Sequence, residues 1–259
     1  MKKTILRNRL FRYGILTVVL VLVVRLSLGF GQRSFENFCP FGGMESLWGL
    51  ITTKEFSCSL GPLNLSILIA VLILAIIAKK AFCGWACPIG FLSELAGRLG
   101  GLIWKKRPRP DPKVNRAAKL LRYVVLVAAL YFTYKAGELI LRGYDPYFLI
   151  FSRFGHGSLG TVSWIVLGAL LVGAFAVPMF FCRYLCPLSA TFDPFARLGV
   201  IKVVRNEHKC TDCGLCEKAC PHDIAPQKMI KVVHHDCTNC LECVDVCPVK
   251  GALELKATL

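Results

Sequence analysis

The sequence predicts an α-helical membrane domain with four transmembrane helices, followed by a small α+β domain rich in cysteine. Three observations predict it. Four apolar runs are long enough to cross a bilayer as helices, the mean hydropathy is +0.55 with 55% hydrophobic residues, and eight of the 14 cysteines lie between Cys210 and Cys247. Such a chain is too apolar for an ordinary soluble domain. The boundary between the two domains is expected near residue 200, giving 1–199 and 200–259.

The apolar runs are Tyr13–Phe30, Gly61–Ala78, Ala117–Tyr134 and Leu159–Phe181. At about 1.5 Å per residue each reaches across a hydrocarbon core of about 30 Å. The net charge of +16 could suggest a nucleic-acid partner, but its distribution argues against one. Lys2, Lys3, Arg7, Arg9 and Arg12 precede or open the first run. Between the second and third, Lys79 to Arg122 carries eleven basic residues against Glu94 and Asp111. The two outer loops, 31–60 and 135–157, are nearly neutral, and the tail from Arg183 has ten basic against nine acidic residues. Basic ends on one side of an even number of spans orient a protein with that side in the cytoplasm. Both termini and the cysteine-rich domain are therefore expected on the cytoplasmic face of a bacterial or archaeal cytoplasmic membrane, with anionic lipid absorbing the basicity. The first run, with no A-x-A site after Phe30, reads as an uncleaved anchor.

In chain order, the first span leads to Phe38-Cys39-Pro40-Phe41-Gly42-Gly43 and an apolar stretch, Glu45 to Ile51. Cys39 and Cys58 share this outer loop, where a disulfide is their simplest fate. The second span runs into Cys83-Gly84-Trp85-Ala86-Cys87-Pro88, then a stretch of interfacial-helix character, Ile89–Trp104, and a linker, Lys105–Pro112. The second half repeats the plan. The third span leads to Tyr144-Asp145-Pro146, and the fourth runs into Cys182-Arg183-Tyr184-Leu185-Cys186-Pro187 and a further apolar stretch around Phe195 and Leu198. Each half is thus span, outer re-entry, span, C-x3-C-P, interfacial helix. Cysteines four apart on a helix share a face, so Cys83/Cys87 and Cys182/Cys186 are expected as two thiol pairs. Three readings stay open for them: a shared third iron–sulfur or redox site, zinc or thiol chemistry, and simple packing.

The tail is more specific. Cys210, Cys213, Cys216 and Cys220, before Pro221, spell C-x2-C-x2-C-x3-C-P. Cys237, Cys240, Cys243 and Cys247, before Pro248, spell it again. This is the bacterial two-cluster ferredoxin spacing, in which the fourth cysteine of each run ligates the other cluster. The expected ligand sets are Cys210, Cys213, Cys216 and Cys247 for one [4Fe–4S] cluster, and Cys237, Cys240, Cys243 and Cys220 for the other. Zinc sites and disulfide frameworks space their cysteines differently.

Together, the four spans, the two C-x3-C-P motifs and the double ferredoxin tail resemble the NapH-type quinol dehydrogenase membrane proteins, relatives of the membrane parts of NosR and CcoG. The resemblance covers nearly the whole chain and implies electron exchange between membrane quinone or quinol and iron–sulfur or cytochrome subunits of a respiratory complex. Nothing in the sequence corresponds to the outer flavin-binding domain of NosR. The chain has no C-x-x-C-H haem motif, and none of its five histidines sits mid-span. A quinone site is therefore expected near the cytoplasmic face, beside Trp85, Tyr184 and the C-x3-C-P cysteines. The alternative is an outer-face site near Glu36, Glu45, Asp145 or His156, with another subunit completing the path. A second functional class, by analogy with CcoG, is redox maturation or sensing, with electrons delivered to metals, thiols or an assembly partner. A third is a membrane anchor that only docks a soluble partner.

Overall fold

The computed structural model describes residues 2–27, 40–53, 61–103, 110–136, 146–151 and 161–258. Cys39 and Cys58 with their expected disulfide, and Glu36, Asp145 and His156, lie outside the described residues. Helices α1 (Lys2–Ser27), α2 (Pro40–Thr53), α3 (Gly61–Ala78), α4 (Ala81–Trp85), α5 (Pro88–Ile103) and α6 (Pro112–Ala136) are followed by α7 (Pro146–Phe151), α8 (Thr161–Ala176), α9 (Phe180–Tyr184) and α10 (Pro187–Leu198). Glu45 falls on α2. The chain then turns to a two-stranded sheet and short helices: β1 (Ile201–Arg205), α11 (Leu215–Ala219), α12 (Glu242–Asp245) and β2 (Leu253–Ala257).

Among the described residues, Gly61–Ala78 and Lys113–Lys135 are long and apolar enough to cross a membrane, and Trp164–Ala176 is a shorter apolar stretch. These helices turn large apolar side chains outward, among them Ile69, Ile73, Val124, Val127, Ile165 and Val172. That is the reverse of a water-facing surface and suits hydrocarbon. The second run coincides with α3. The third begins earlier than its hydropathy suggests: Pro112, lacking an N–H, opens α6, and the Asp111 carboxylate accepts the Lys113 N–H at 3.2 Å as an N-cap. The fourth run is not one continuous helix. Val177 still donates to the Gly173 carbonyl at 2.8 Å, but Pro178 has no N–H to give and Met179 is left-handed (φ 54°), so the chain breaks before α9.

The described residues form two compact units, Met1–Val19 with Leu72–Cys87 and Phe192–Leu259, and Leu20–Val71 with Pro88–Thr191. In the second unit α5 packs on α8 through glycines. A Cβ on Gly100 would overlap the Phe175 carbonyl, and one on Gly97 would lie 2.7 Å from Pro178 Cα. Small residues let membrane helices approach this closely. In the first unit β1 and β2 pair antiparallel, Val203 opposite Leu255. They close a small core of Val203, Cys216, Ile224, Val232 and Leu253.

The segments α3–α4–α5 and α8–α9–α10 follow the same order, and their C-x3-C-P corners are built alike. Ala86 and Cys87 both donate to the Phe82 carbonyl, at 3.0 and 2.9 Å; Leu185 and Cys186 both donate to the Phe181 carbonyl at 2.9 Å. Each short helix therefore ends between its two cysteines, after Trp85 and after Tyr184. The expectation that each pair lies on one helix face is corrected accordingly. The helix closes on a doubly used carbonyl, and the following proline opens the next one.

Candidate iron–sulfur sites and their anchorage

The two cysteine runs fold as a local repeat. In the first, Asp212 (φ 49°) and Gly214 (φ 69°) are left-handed; in the second, Asn239 (φ 46°) and Leu241 (φ 63°) occupy the same places. These reversals coil each C-x2-C-x2-C loop and deliver its third cysteine to a short helix, Cys216 to α11 and Cys243 to α12. Glycine suits such a position; Leu241 adopts it with a Cβ, at a cost of about 1–2 kcal/mol.

The folded loops gather the cysteines into two cavities. Cys210, Cys213, Cys216 and Cys247 line one, with Gln227, Val249 and Leu253. Cys220, Cys237, Cys240 and Cys243 line the other, with Val203, Ile224 and Val232. Four thiols in an otherwise largely apolar cradle are a soft donor set, the kind that fits an iron–sulfur cluster.

The two cavities differ electrostatically. Burial pushes the Cys220 thiol up to about 12 and raises Cys243 well above the ordinary thiol range. Burial also raises Cys237, opposed by the nearby Lys79 ammonium. Cys213 is exposed, and the Leu215 N–H draws its thiol below the usual value. Cys216 sits 3.1 Å from the Gln227 side-chain oxygen. Burial raises Cys216 of the first cavity as well, so buried thiols of both cavities depend on a metal to displace their protons, and the loop eases deprotonation at Cys213.

The second loop is also the one anchored to the end of α3. The Asn239 side-chain amide donates to the Ala78 carbonyl at 2.9 Å and the Ile201 carbonyl at 3.0 Å. Trp85 Nε1 donates to the Asn239 carbonyl at 3.0 Å. A Cβ on Gly84 would come within 3.1 Å of Thr238. The Arg12 guanidinium, from α1, donates to the Gly84 carbonyl at 2.9 Å and pairs with Glu242 at 3.2 Å. The Lys80 ammonium bridges Asp193 at 2.6 Å and Asp236 at 3.3 Å. Arg12, Lys79 and Lys80 are all buried. The sequence places these cations at the inner lipid surface; the structure engages them in protein contacts instead. Position along the chain could not reveal that, because their acceptors lie 72 to 230 residues away.

Of the C-x3-C-P cysteines, Cys83 and Cys182 are buried and Cys87 and Cys186 half-buried. The first pair belongs to the first unit and the second pair to the second. Around the second pair, Asn115 of α6 accepts the Tyr184 hydroxyl at 2.8 Å and Arg183 Nε at 3.1 Å. His234, His235 and Asp236 also bring their ligand atoms within 4.8 Å of one another. There, however, the Asp236 carboxylate already holds Lys80.

Coiled four-thiol cradles, one of them anchored at the end of α3, define a ferredoxin-type iron–sulfur protein. A family profile described as a 4Fe-4S binding domain matches twice, over 60–107 and 159–206, and a 4Fe-4S dicluster domain matches 202–254. The two matches of the first profile fall on the repeat just described. An uncharacterized protein of Methanocaldococcus jannaschii is 37% identical over 158 residues, 60% of this chain and 57% of its own length. YccM of Escherichia coli is 33% identical over 209 residues, 76% of this chain and 56% of its own. A second uncharacterized Methanocaldococcus jannaschii protein is 34% identical over 179 residues, 68% of this chain and 73% of its own. The chain thus spans little more than half the length of the first two. The ferredoxin-type proteins NapH of Haemophilus influenzae and of Escherichia coli also match. The chain belongs to the NapH-related family of 4Fe–4S proteins. No solved structure matches it.

Proposed function

We propose that this chain is a membrane-bound iron–sulfur electron-transfer subunit that exchanges electrons between membrane quinone or quinol and protein redox partners. The observation that carries this reading is the attachment of one four-thiol cradle to the end of the apolar helix α3, through Asn239, Trp85 and Lys80. Cys220, Cys237, Cys240 and Cys243 would hold one [4Fe–4S] cluster, and Cys210, Cys213, Cys216 and Cys247 the other. When bound, each cluster supplies one-electron chemistry at a potential set by burial, charge and hydrogen bonds. The protein's part is to exclude water from the cradle of Cys220, Cys237, Cys240 and Cys243, the inner of the two by its attachment to α3, and to fix its distance from the α3–α4 corner. The exposed edge at Cys213 offers a soluble partner access to the outer cradle. Both termini and residues 200–259 would then face the cytoplasm.

The first experiment is iron and acid-labile sulfide analysis with EPR on anaerobically purified protein, followed by quinol-linked reduction in liposomes. About eight irons per chain are expected for two cubanes. Iron above that number would have to sit on the remaining thiols, Cys83, Cys87, Cys182 and Cys186. Clusters that neither quinol reduces nor quinone oxidises would sink the quinone-linked reading. They would favour the second one, delivery of electrons to an assembly partner, which the exposed Cys213 edge also allows.

A further inference from the structure

Lys79, just past the end of the apolar helix α3, is unusual in its conformation and burial. Its backbone is left-handed (φ 59°), a conformation that residues with a Cβ adopt rarely and only where the surroundings impose it. The turn carries its stem across Gly199, where any Cβ would collide with Lys79 Cγ. The ammonium is fully buried (0% exposed). It donates to the Val232 carbonyl and lies 3.4 Å from the His234 carbonyl. That same His234 oxygen accepts the Cys237 N–H at 3.1 Å, and the Cys237 carbonyl accepts the N–H of Lys80 at 3.4 Å. One carbonyl therefore separates the Lys79 charge from a cysteine of the inner cradle.

Two other buried cations nearby have carboxylates to answer them: Arg12 has Glu242, and Lys80 has Asp193 and Asp236; Lys202, buried and beside Lys79, adds further positive charge. The Lys79 hydrogen bonds among the described residues go to neutral carbonyls. Burying an ammonium on dipoles alone is costly, and the fold spends backbone strain as well to put it there. An anion bound at Cys237 would supply the missing counter-charge. The outer cradle has a cation of its own, the Arg205 guanidinium in contact with Cys210, but Asp212 pairs with it at 2.8 Å, so the net charge presented there is smaller.

We propose that Lys79 is the counter-charge of the iron–sulfur group held by Cys220, Cys237, Cys240 and Cys243, and raises its reduction potential above that of the group held by Cys210, Cys213, Cys216 and Cys247. A buried positive charge favours the more negative, reduced state of the group beside it. The first electron taken up by the pair then rests at the α3–α4 end. The proposal rests on the two-cluster reading above.

The test is an EPR-monitored redox titration of the full chain, purified anaerobically, beside an iron count for each variant. In wild type the two signals should titrate separately. Lys79→Met should keep its iron and shift only the higher-potential signal to more negative values, and that signal should be the one left unperturbed by Cys213→Ser. Lys79→Arg, which keeps the charge, should leave that potential near its wild-type value. Gly199→Ala, which displaces the stem while leaving the charge present, should give a smaller shift in the same direction. Unmoved potentials in iron-replete Lys79→Met overturn the proposal, as do equal shifts of both signals or sensitivity confined to the lower-potential one. If Lys79→Met loses iron, Gly199→Ala decides: unmoved potentials there overturn the proposal too. A wild-type chain without iron would instead sink the two-cluster reading itself.

Discussion

At the scale of single residues, the buried ion pairs of the first unit make the sharpest statements. Arg12 and Glu242 are separated by most of the chain and meet at 3.2 Å, each almost fully buried. Removing one partner of such a pair leaves the other charged in a dry site, at a cost of about 3–5 kcal/mol; replacing both with apolar residues is often near neutral. Arg12→Met should therefore loosen residues 200–259, seen as faster limited proteolysis there, and Arg12→Met with Glu242→Met should recover most of the loss. Asn239 acts differently. Its amide holds two backbone carbonyls, and its left-handed φ of 46° is one that asparagine tolerates. Asn239→Ala should cost about 1–3 kcal/mol by stranding those acceptors, read as a lower midpoint temperature of the same region. None of these partnerships was legible in the sequence. Arg12 and Lys80 read there as membrane-surface charge, because a pairing across so many residues leaves no local pattern.

At the scale of elements, two of the four apolar runs correspond to helices long enough to cross a membrane among the described residues, Gly61–Ala78 and Lys113–Lys135, and hydropathy places helix ends poorly. The second apolar run and α3 share the same bounds, Gly61–Ala78, since nothing in the helix interior interrupts it. Hydropathy carries the fourth run through Pro178 as one span, although proline and the left-handed Met179 divide it into α8 and α9. A hydropathy sum does not register a missing N–H. The glycines of the second unit allow a controlled comparison. Gly100 meets the Phe175 carbonyl across the α5–α8 contact, while Gly168, on α8, has nothing within 4 Å. Gly100→Ala should force the two helices apart and lower thermal stability in detergent. Gly168→Ala should be tolerated or slightly stabilising, by up to about 1 kcal/mol, because alanine gives up less entropy in a helix. Equal behaviour of the two variants would remove the case for close α5–α8 packing.

At the scale of the whole molecule, the cysteine-rich region has little apolar material of its own. Its core is Val203, Cys216, Ile224, Val232 and Leu253, and one of these five is a thiol that also lines a cradle. A region of that size depends on bound metal for much of its stability. Anaerobic removal of iron by chelation should expose residues 206–250 to protease while α3, α6 and α8 stay protected, and reconstitution with iron and sulfide should reverse it. The same region carries the anchors to α3, so the loss should also quench any quinol-linked activity in liposomes.

The sequence alone determined the kind of protein: two ferredoxin-type cysteine runs, apolar helices, a duplicated C-x3-C-P plan, and membership in the NapH-related 4Fe–4S family. These features are local, because ligand spacing and hydropathy are written in consecutive residues. Only the tertiary structure decided which cradle meets the end of α3, and that buried Lys79, Lys80 and Arg12 secure it. It also decided that each C-x3-C-P pair straddles a helix end. Those outcomes depend on charges and carbonyls brought together by folding, and the low dielectric that strengthens such contacts exists only once the chain has closed around them.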